Sequence, residues 1–172
     1  MKKRIIVSIL SSLMILSSFS LNSKAEMKEE YIEYIEEVSS DYNICPELIE
    51  SIIFYESSWN EKAYNSKYGC KGLGQINQNV HKDRMKALGV TDLYDPYGNI
   101  LVMCDYLSEL FIQYEEVETV LMIYNEGNNG LKRANKGIVS NYCKRVLDLS
   151  EELERESIGI EDGFIGDWII NQ

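Results

Sequence analysis

The chain has 172 residues, of which 45% are hydrophobic and 26% charged, and its formal net charge is −11. This length suits one domain built around one core. So acidic a chain is a poor candidate for a nucleic-acid-binding protein, because Lys and Arg must meet the phosphates, and most of the acidity serves solubility.

The first 25 residues predict a secretory signal peptide. A basic stretch at 2–4 precedes an apolar run at 5–21, and Ser23 and Ala25 satisfy the small-residue rule at a cleavage site. An uncleaved membrane anchor is the alternative, although the run is short for a span and rich in Ser. We therefore expect a secreted protein of the cell envelope, with no stable membrane span after cleavage.

Removal of the signal leaves a strongly acidic protein. The first 25 residues contain four basic and no acidic side chains, so the remainder carries 13 basic and 28 acidic ones. Such a protein is repelled by anionic surfaces, so an anionic wall polymer would have to be bound locally, in a cleft.

The rest of the chain predicts a mainly α-helical domain over residues 26–156. Apolar residues at helical spacing predict helices at 27–42, 46–58, 81–88, 97–114, 118–124 and 140–156. A loop is expected at 59–71 and another at 125–136, while 72–76 is a tight segment too rich in Gly for a helix. The tail at 157–172 is acidic with an apolar end, and it either docks on the domain or serves as a contact segment.

Four cysteines lie beyond the signal. An even number in an oxidising compartment suggests two disulfides with three possible pairings, of which we favour Cys45–Cys70 with Cys104–Cys143. Cys104 also falls on the apolar face of a helix, where a buried free thiol fits equally well. The spacing contains no CxxC pair, so a zinc site is not expected. Separately, we expect no metal or cofactor to be needed.

Glu56 is the candidate catalytic residue. Counting back from it at helical spacing reaches Ile53, Ile52 and Ile49, which places it on the buried stripe of its helix. Burial raises the pKa of a carboxyl group, and the negative end of the helix dipole acts in the same direction. A protonated carboxylic acid beside a cleft is the general acid that glycosidic bond cleavage requires.

Four segments carry a family resemblance. They are the Glu-Ser segment at 52–60, Gly-Cys-Lys-Gly-Leu-Gly-Gln-Ile at 69–76, Asp-Pro-Tyr-Gly-Asn-Ile at 95–100 and Tyr-Asn-Glu-Gly at 124–127. In this order, these segments resemble those of the SLT-type lytic transglycosylases, relatives of goose-type lysozyme that cleave peptidoglycan. The resemblance covers roughly residues 42–154 and implies a lysozyme-like single domain with a short Gly-rich hairpin. The chain departs from the family pattern at Gly74, where Met is usual, and at Ile123, where Ala is common.

The resemblance implies roles for individual residues. Glu56 would act as the single acid/base in cleavage of the MurNAc–GlcNAc bond, closing a 1,6-anhydro ring on the muramyl sugar. Gly72 and Gly74 would let the backbone approach the glycan closely, unless they only form an ordinary turn. The expected substrate-binding residues are Ser57, Gln75, Tyr124, Asn125 and Tyr142.

Plain structural roles compete with these assignments. In these alternatives, Tyr124 packs at the edge of an aromatic core, Asn125 caps the C-terminus of a helix, and Tyr142 packs in the core. The lone His81 opens a helix and is expected to be structural. No spacing singles out a second catalytic carboxylate.

Two other functions remain open on the sequence. One is a goose-type muramidase of the same fold, which hydrolyses the same bond with water. The other is a non-catalytic cell-wall-binding or assembly protein, which the altered Gly74 and the apolar tail favour. The expected partner is the peptidoglycan strand, with an additional partner in the envelope left unidentified.

Overall fold

The computed structural model describes residues 28–158, so the predicted signal at 1–25 and most of the predicted tail lie outside the described range. Helices dominate, which confirms the mainly α prediction. The helices are α1 over 28–42, α2 Pro46–Ser57, α3 Lys82–Ala87, α4 Pro96–Gln113, α5 Val117–Glu126, α6 Asn128–Ala134 and α7 Asn141–Ile158. None of the helices in this range is long and apolar enough to span a bilayer.

A small antiparallel sheet follows α2. Its strands are β1 Tyr64–Asn65, β2 Cys70–Lys71 and β3 Ile76–Asn77, paired in the order β1-β2-β3. The first two lie in the stretch predicted as a loop, because strands of two residues leave no alternation of apolar side chains for a sequence to show. The Gly-rich segment forms the turn between β2 and β3, since Lys71 pairs with Ile76 across it. Strand β3 contacts α4.

Helix α2 runs through the centre of the core. Pro46 occupies its first turn, where a missing N–H costs nothing. Ile49, Ile52 and Ile53 are fully buried, and the helix packs along α7. The helix ends at Ser57, one residue after Glu56, because Ser58 and the following Trp59 both adopt left-handed backbone angles, with φ of 50° and 62°. The carboxyl of Glu56 is thereby presented at the end of a buried helix.

The predicted loop at 125–136 is wrong, because it contains α6. Asn and Gly lower helix propensity, which concealed the helix in the sequence. Gly130 is required by packing instead. A Cβ at this position would lie 1.9 Å from the carbonyl oxygen of Met122, so α5 and α6 approach closely only because position 130 has no side chain.

The predicted disulfides are also wrong, because all four cysteines are free thiols. Cys45 precedes α2, whereas Cys70 lies near Glu56 at the other end of that helix, and eleven helical residues span about 16 Å. A disulfide needs Cα atoms within about 7 Å. Cys104 and Cys143 are buried on α4 and α7, and the Cys143 thiol faces the Glu118 carbonyl of the intervening α5. The alternative of a buried thiol at Cys104 is confirmed.

Candidate active site

A cleft of about 610 Å³ opens between the end of α2, the sheet and the corner joining α5 to α6. Amide and aromatic side chains dominate its wall, and Glu56 lies in it. The polar and aromatic lining residues are Glu56, Asn65, Tyr68, Gln75, Asn77, His81, Tyr106, Tyr124, Asn125, Glu126 and Asn129. Such a lining suits a ligand rich in hydroxyl and amide groups.

Glu56 is partly buried, on the stripe that its helical spacing predicted. Burial raises the pKa of Glu56 above its usual value, while hydrogen-bond donors on Tyr142 and Asn125 act against that rise. The Asn125 amide donates to Oε1 over a long 3.5 Å. The Tyr142 hydroxyl is buried, faces the carboxyl, and has no partner in normal hydrogen-bond geometry within residues 28–158.

These surroundings suit a group that must change its protonation state. Burial, followed by the nearby Glu56 carboxylate, raises the pKa of Tyr142 well above 10, so its hydroxyl keeps its proton. The protonated form of Glu56 is favoured by desolvation. Once the proton leaves, the carboxylate faces donors on two neighbouring residues. The site can therefore give a proton and take one back.

Gln75 lines the cleft, whereas Gly72, Leu73 and Gly74 are buried behind it, so the two glycines expected to approach the glycan do not line the cleft. This segment, Gly72 to Gln75, is the floor of the cleft and is fixed by a buried side chain on α4. Asn99 is fully buried and forms three hydrogen bonds. Its Nδ2 donates to the carbonyls of Lys71 and Leu93, both at 2.9 Å, and its Oδ1 accepts from the Gly74 N–H at 2.7 Å. The floor is thus held through its own backbone.

The glycine at position 74 is explained by its neighbours. A Cβ there would lie 2.7 Å from the Met103 sulfur and 3.0 Å from the Tyr124 hydroxyl. The Tyr124 hydroxyl also donates to the Gly74 carbonyl at 2.6 Å. In this chain, side chains from α4 and α5 fill the space beside the floor that a residue at position 74 would otherwise enter.

Most of the predicted site residues gather around Glu56. Tyr124, Asn125 and Gln75 line the cleft, and Tyr142 lies against the carboxyl. Gln75 has a positive φ of 51°, and its Nε2 donates to the carbonyls of Ala63 and Gly72, so it braces the floor. The structure does not bring Ser57 into the cleft, because its hydroxyl donates back to the Ile53 carbonyl within α2.

Sequence reasoning gives no task to Asn99, which is buried against the floor, and only a structural role to His81, which lines the cleft. Asn99 was part of a motif without an assigned task, and its signal was a polar residue at a buried position of an apolar helix. His81 is nearly buried and contacts the Tyr106 ring with a centroid distance of 4.5 Å. Burial, followed by the Arg84 charge, lowers the pKa of His81. No group of three His, Cys, Asp or Glu side chains between residues 28 and 158 is arranged to hold a metal ion.

Comparison with known proteins gives three concordant likenesses. The profile of the family described as "Transglycosylase SLT domain" matches residues 33–141, more than half of the chain. A transglycosylase of Enterobacteria phage PRD1 is 36% identical over 97 residues, which cover 56% of this chain and 35% of the phage protein. This chain therefore corresponds to about a third of that relative's length.

The third likeness is structural. An inactive mutant of lytic transglycosylase Slt from Pseudomonas aeruginosa matches with a TM-score of 0.63, over 74% of this chain and 24% of that one. The sequence identity is 17%, so the likeness concerns the fold.

Proposed function

Because the chain belongs to the SLT transglycosylase domain family, we propose that it is a peptidoglycan lytic transglycosylase. The observation that carries the proposal is the partly buried Glu56 carboxyl in the cleft, with its raised pKa and its two facing donors. The family assignment supplies the substrate class, and the geometry supports the role of the carboxyl.

In the proposed reaction, Glu56 serves twice. Its carboxylic acid donates the proton to the glycosidic oxygen as the bond from muramyl C1 breaks, and the GlcNAc end leaves as an alcohol. The carboxylate, facing Asn125 and Tyr142, then takes the proton of the muramyl C6 hydroxyl. The C6 oxygen bonds to C1 and closes the 1,6-anhydro ring, so the acid is regenerated and no water is consumed.

A second carboxylate available for catalysis would favour the hydrolytic muramidase instead, since hydrolases use one as nucleophile or base. The other carboxylate in the cleft wall belongs to Glu126. Both of its oxygens accept hydrogen bonds from the Arg133 guanidinium, at 2.7 and 2.8 Å. This pairing supports a reaction in which the substrate supplies its own nucleophile.

The product distinguishes the two chemistries. Purified peptidoglycan incubated with the protein should release fragments with anhydromuramyl ends, which are lighter by one water than hydrolysed fragments. Mass spectrometry of the soluble fraction makes the distinction. Fragments that carry only hydrated, reducing muramyl ends would show that the protein is a hydrolytic muramidase instead.

Cleavage should depend on pH through Glu56. Because burial raises the pKa of this group, activity falls as pH rises through that value and the acid form is consumed. Tyr142→Phe removes a donor that lowers the Glu56 pKa, so the falling limb of the kcat profile should move to higher pH. A limb that stays in place in Tyr142→Phe, or a flat profile in the wild type, would count against this assignment.

The substrate also sets the expected location. Peptidoglycan lies outside the cytoplasmic membrane, so a protein with the proposed activity must be exported to reach it. The signal peptide predicted at 1–25 fits this requirement and lies outside the described residues.

A further inference from the structure

One end of the cleft carries exposed apolar side chains. The Tyr68 side chain is 58% exposed and Val80 is 72% exposed, and both line the cleft. Tyr64, on the same hairpin, is exposed to the same extent, 57%, but does not line it. A scattered aromatic ring on a convex surface needs no explanation, whereas one placed along a concave binding cleft presents a contact surface.

One side chain fixes the backbone at both of these positions. The Asn77 amide nitrogen donates to the Tyr68 carbonyl, and its Oδ1 accepts from the Val80 N–H at 3.2 Å. The Gly69 N–H closes the hairpin by donating to the Asn65 carbonyl at 2.8 Å. Asn77 thus joins the hairpin turn to the segment before α3, and holds the two apolar groups at one end of the cleft.

In the hairpin, Tyr68 lies two residues before the wall residue that is near Glu56. On the same wall, Cys70 is the residue near Glu56, where burial and then the Glu56 carboxylate raise the pKa of its thiol. Tyr68 lies in the turn before Cys70. The Lys67 ammonium lies over one face of the Tyr68 ring, 4.7 Å from the ring centroid.

We propose that Tyr68 is a distal glycan-binding platform, on which the apolar face of a sugar ring stacks beyond the sugars that flank Glu56. Hexopyranose rings present axial C–H groups on such a face, and an aromatic ring contacts them without needing a charged partner. Val80 extends the apolar contact. The platform makes affinity depend on strand length, so it selects long glycan strands over short fragments. This inference rests on the proposed function, because it assigns an additional subsite to the same cleft.

Binding in the Glu56→Gln background tests the platform without cleavage of the ligand. The probes are a tetrasaccharide and an octasaccharide of alternating GlcNAc and MurNAc, both without peptide stems, measured by calorimetry. Tyr68→Ala should weaken octasaccharide binding about five- to tenfold and leave the tetrasaccharide Kd unchanged. Tyr68→Phe should bind as the parent does. Tyr64→Ala is the matched control, and it should change neither Kd.

The other outcomes overturn the platform. Equal weakening of both probes would place Tyr68 among the reacting sugars, and unchanged octasaccharide binding would remove it from the site. An equal loss in Tyr64→Ala would assign the effect to the hairpin as a whole. Failure of the proposed function is a separate result: length-dependent binding would persist while the wild-type protein cut no peptidoglycan.

Discussion

Glu56→Gln abolishes peptidoglycan cleavage, with kcat lowered by about a thousandfold, the contribution expected of a positioned general acid and base. The amide has nearly the same shape as the carboxyl and can accept the same hydrogen bond from Asn125. It cannot release or take a proton in the reaction. The measurement is the rate at which soluble fragments leave purified peptidoglycan.

The stability of the same variant is the control for this result. The folded-state pKa of Glu56 is raised, so its favourable contribution is fully present below the unfolded-state value and is lost as pH rises through the folded value. Glu56→Gln should therefore match the wild type in acid and exceed it in unfolding free energy at higher pH. Full lytic activity in a folded Glu56→Gln protein would refute the acid/base assignment.

Gly72→Ala lowers the free energy of unfolding by about 3 to 5 kcal/mol, since it combines backbone strain with lost buried hydrogen bonds. The φ of Gly72 is +73°, and a Cβ would lie 2.3 Å from both Asn99 Nδ2 and the Leu93 carbonyl oxygen. Making room displaces Asn99 from the floor of the cleft. Urea denaturation measures the loss, and glycan cleavage should fall with it.

Gly137→Ala is the matched control for backbone strain. Its φ is +69°, yet a Cβ there meets nothing within 4 Å, so only the left-handed strain remains. The expected loss is about 1 kcal/mol, and Gly89, with a φ of +72° in open space, provides a second control. Equal losses at Gly72 and Gly137 would show that the Asn99 contact contributes nothing to stability.

Local patterns in the sequence were enough to predict six of the seven helices of residues 28–158. Helix α2 was visible from the spacing of Ile49, Ile52 and Ile53, and the same spacing predicted the position of Glu56, which is partly buried. The cap of α4 was equally local, because Asp95 accepts a hydrogen bond from the Gly98 N–H three residues later. Such contacts join residues within one helical turn, so the order of residues reveals them.

The features that were missed depend on contacts between distant segments. From the sequence alone, Gly130 predicts an interrupted helix. In the fold, it is the residue that lets α6 approach the Met122 carbonyl on α5. The number of cysteines carries no information on their separation, and Cys45 and Cys70 lie near opposite ends of α2. Asn99 reaches backward in sequence to Lys71 and Gly74, so its task could be seen only in the folded chain.

In the proposed reaction, Glu56 drives cleavage of the glycosidic bond without consuming water. The most direct test is mass spectrometry of fragments released from purified peptidoglycan in water enriched in heavy oxygen, by the wild-type protein and by Glu56→Gln. The predicted result is anhydromuramyl fragments without heavy oxygen from the wild type, and none from the variant. Heavy oxygen at the muramyl C1 of wild-type products would contradict the claim and establish hydrolysis instead.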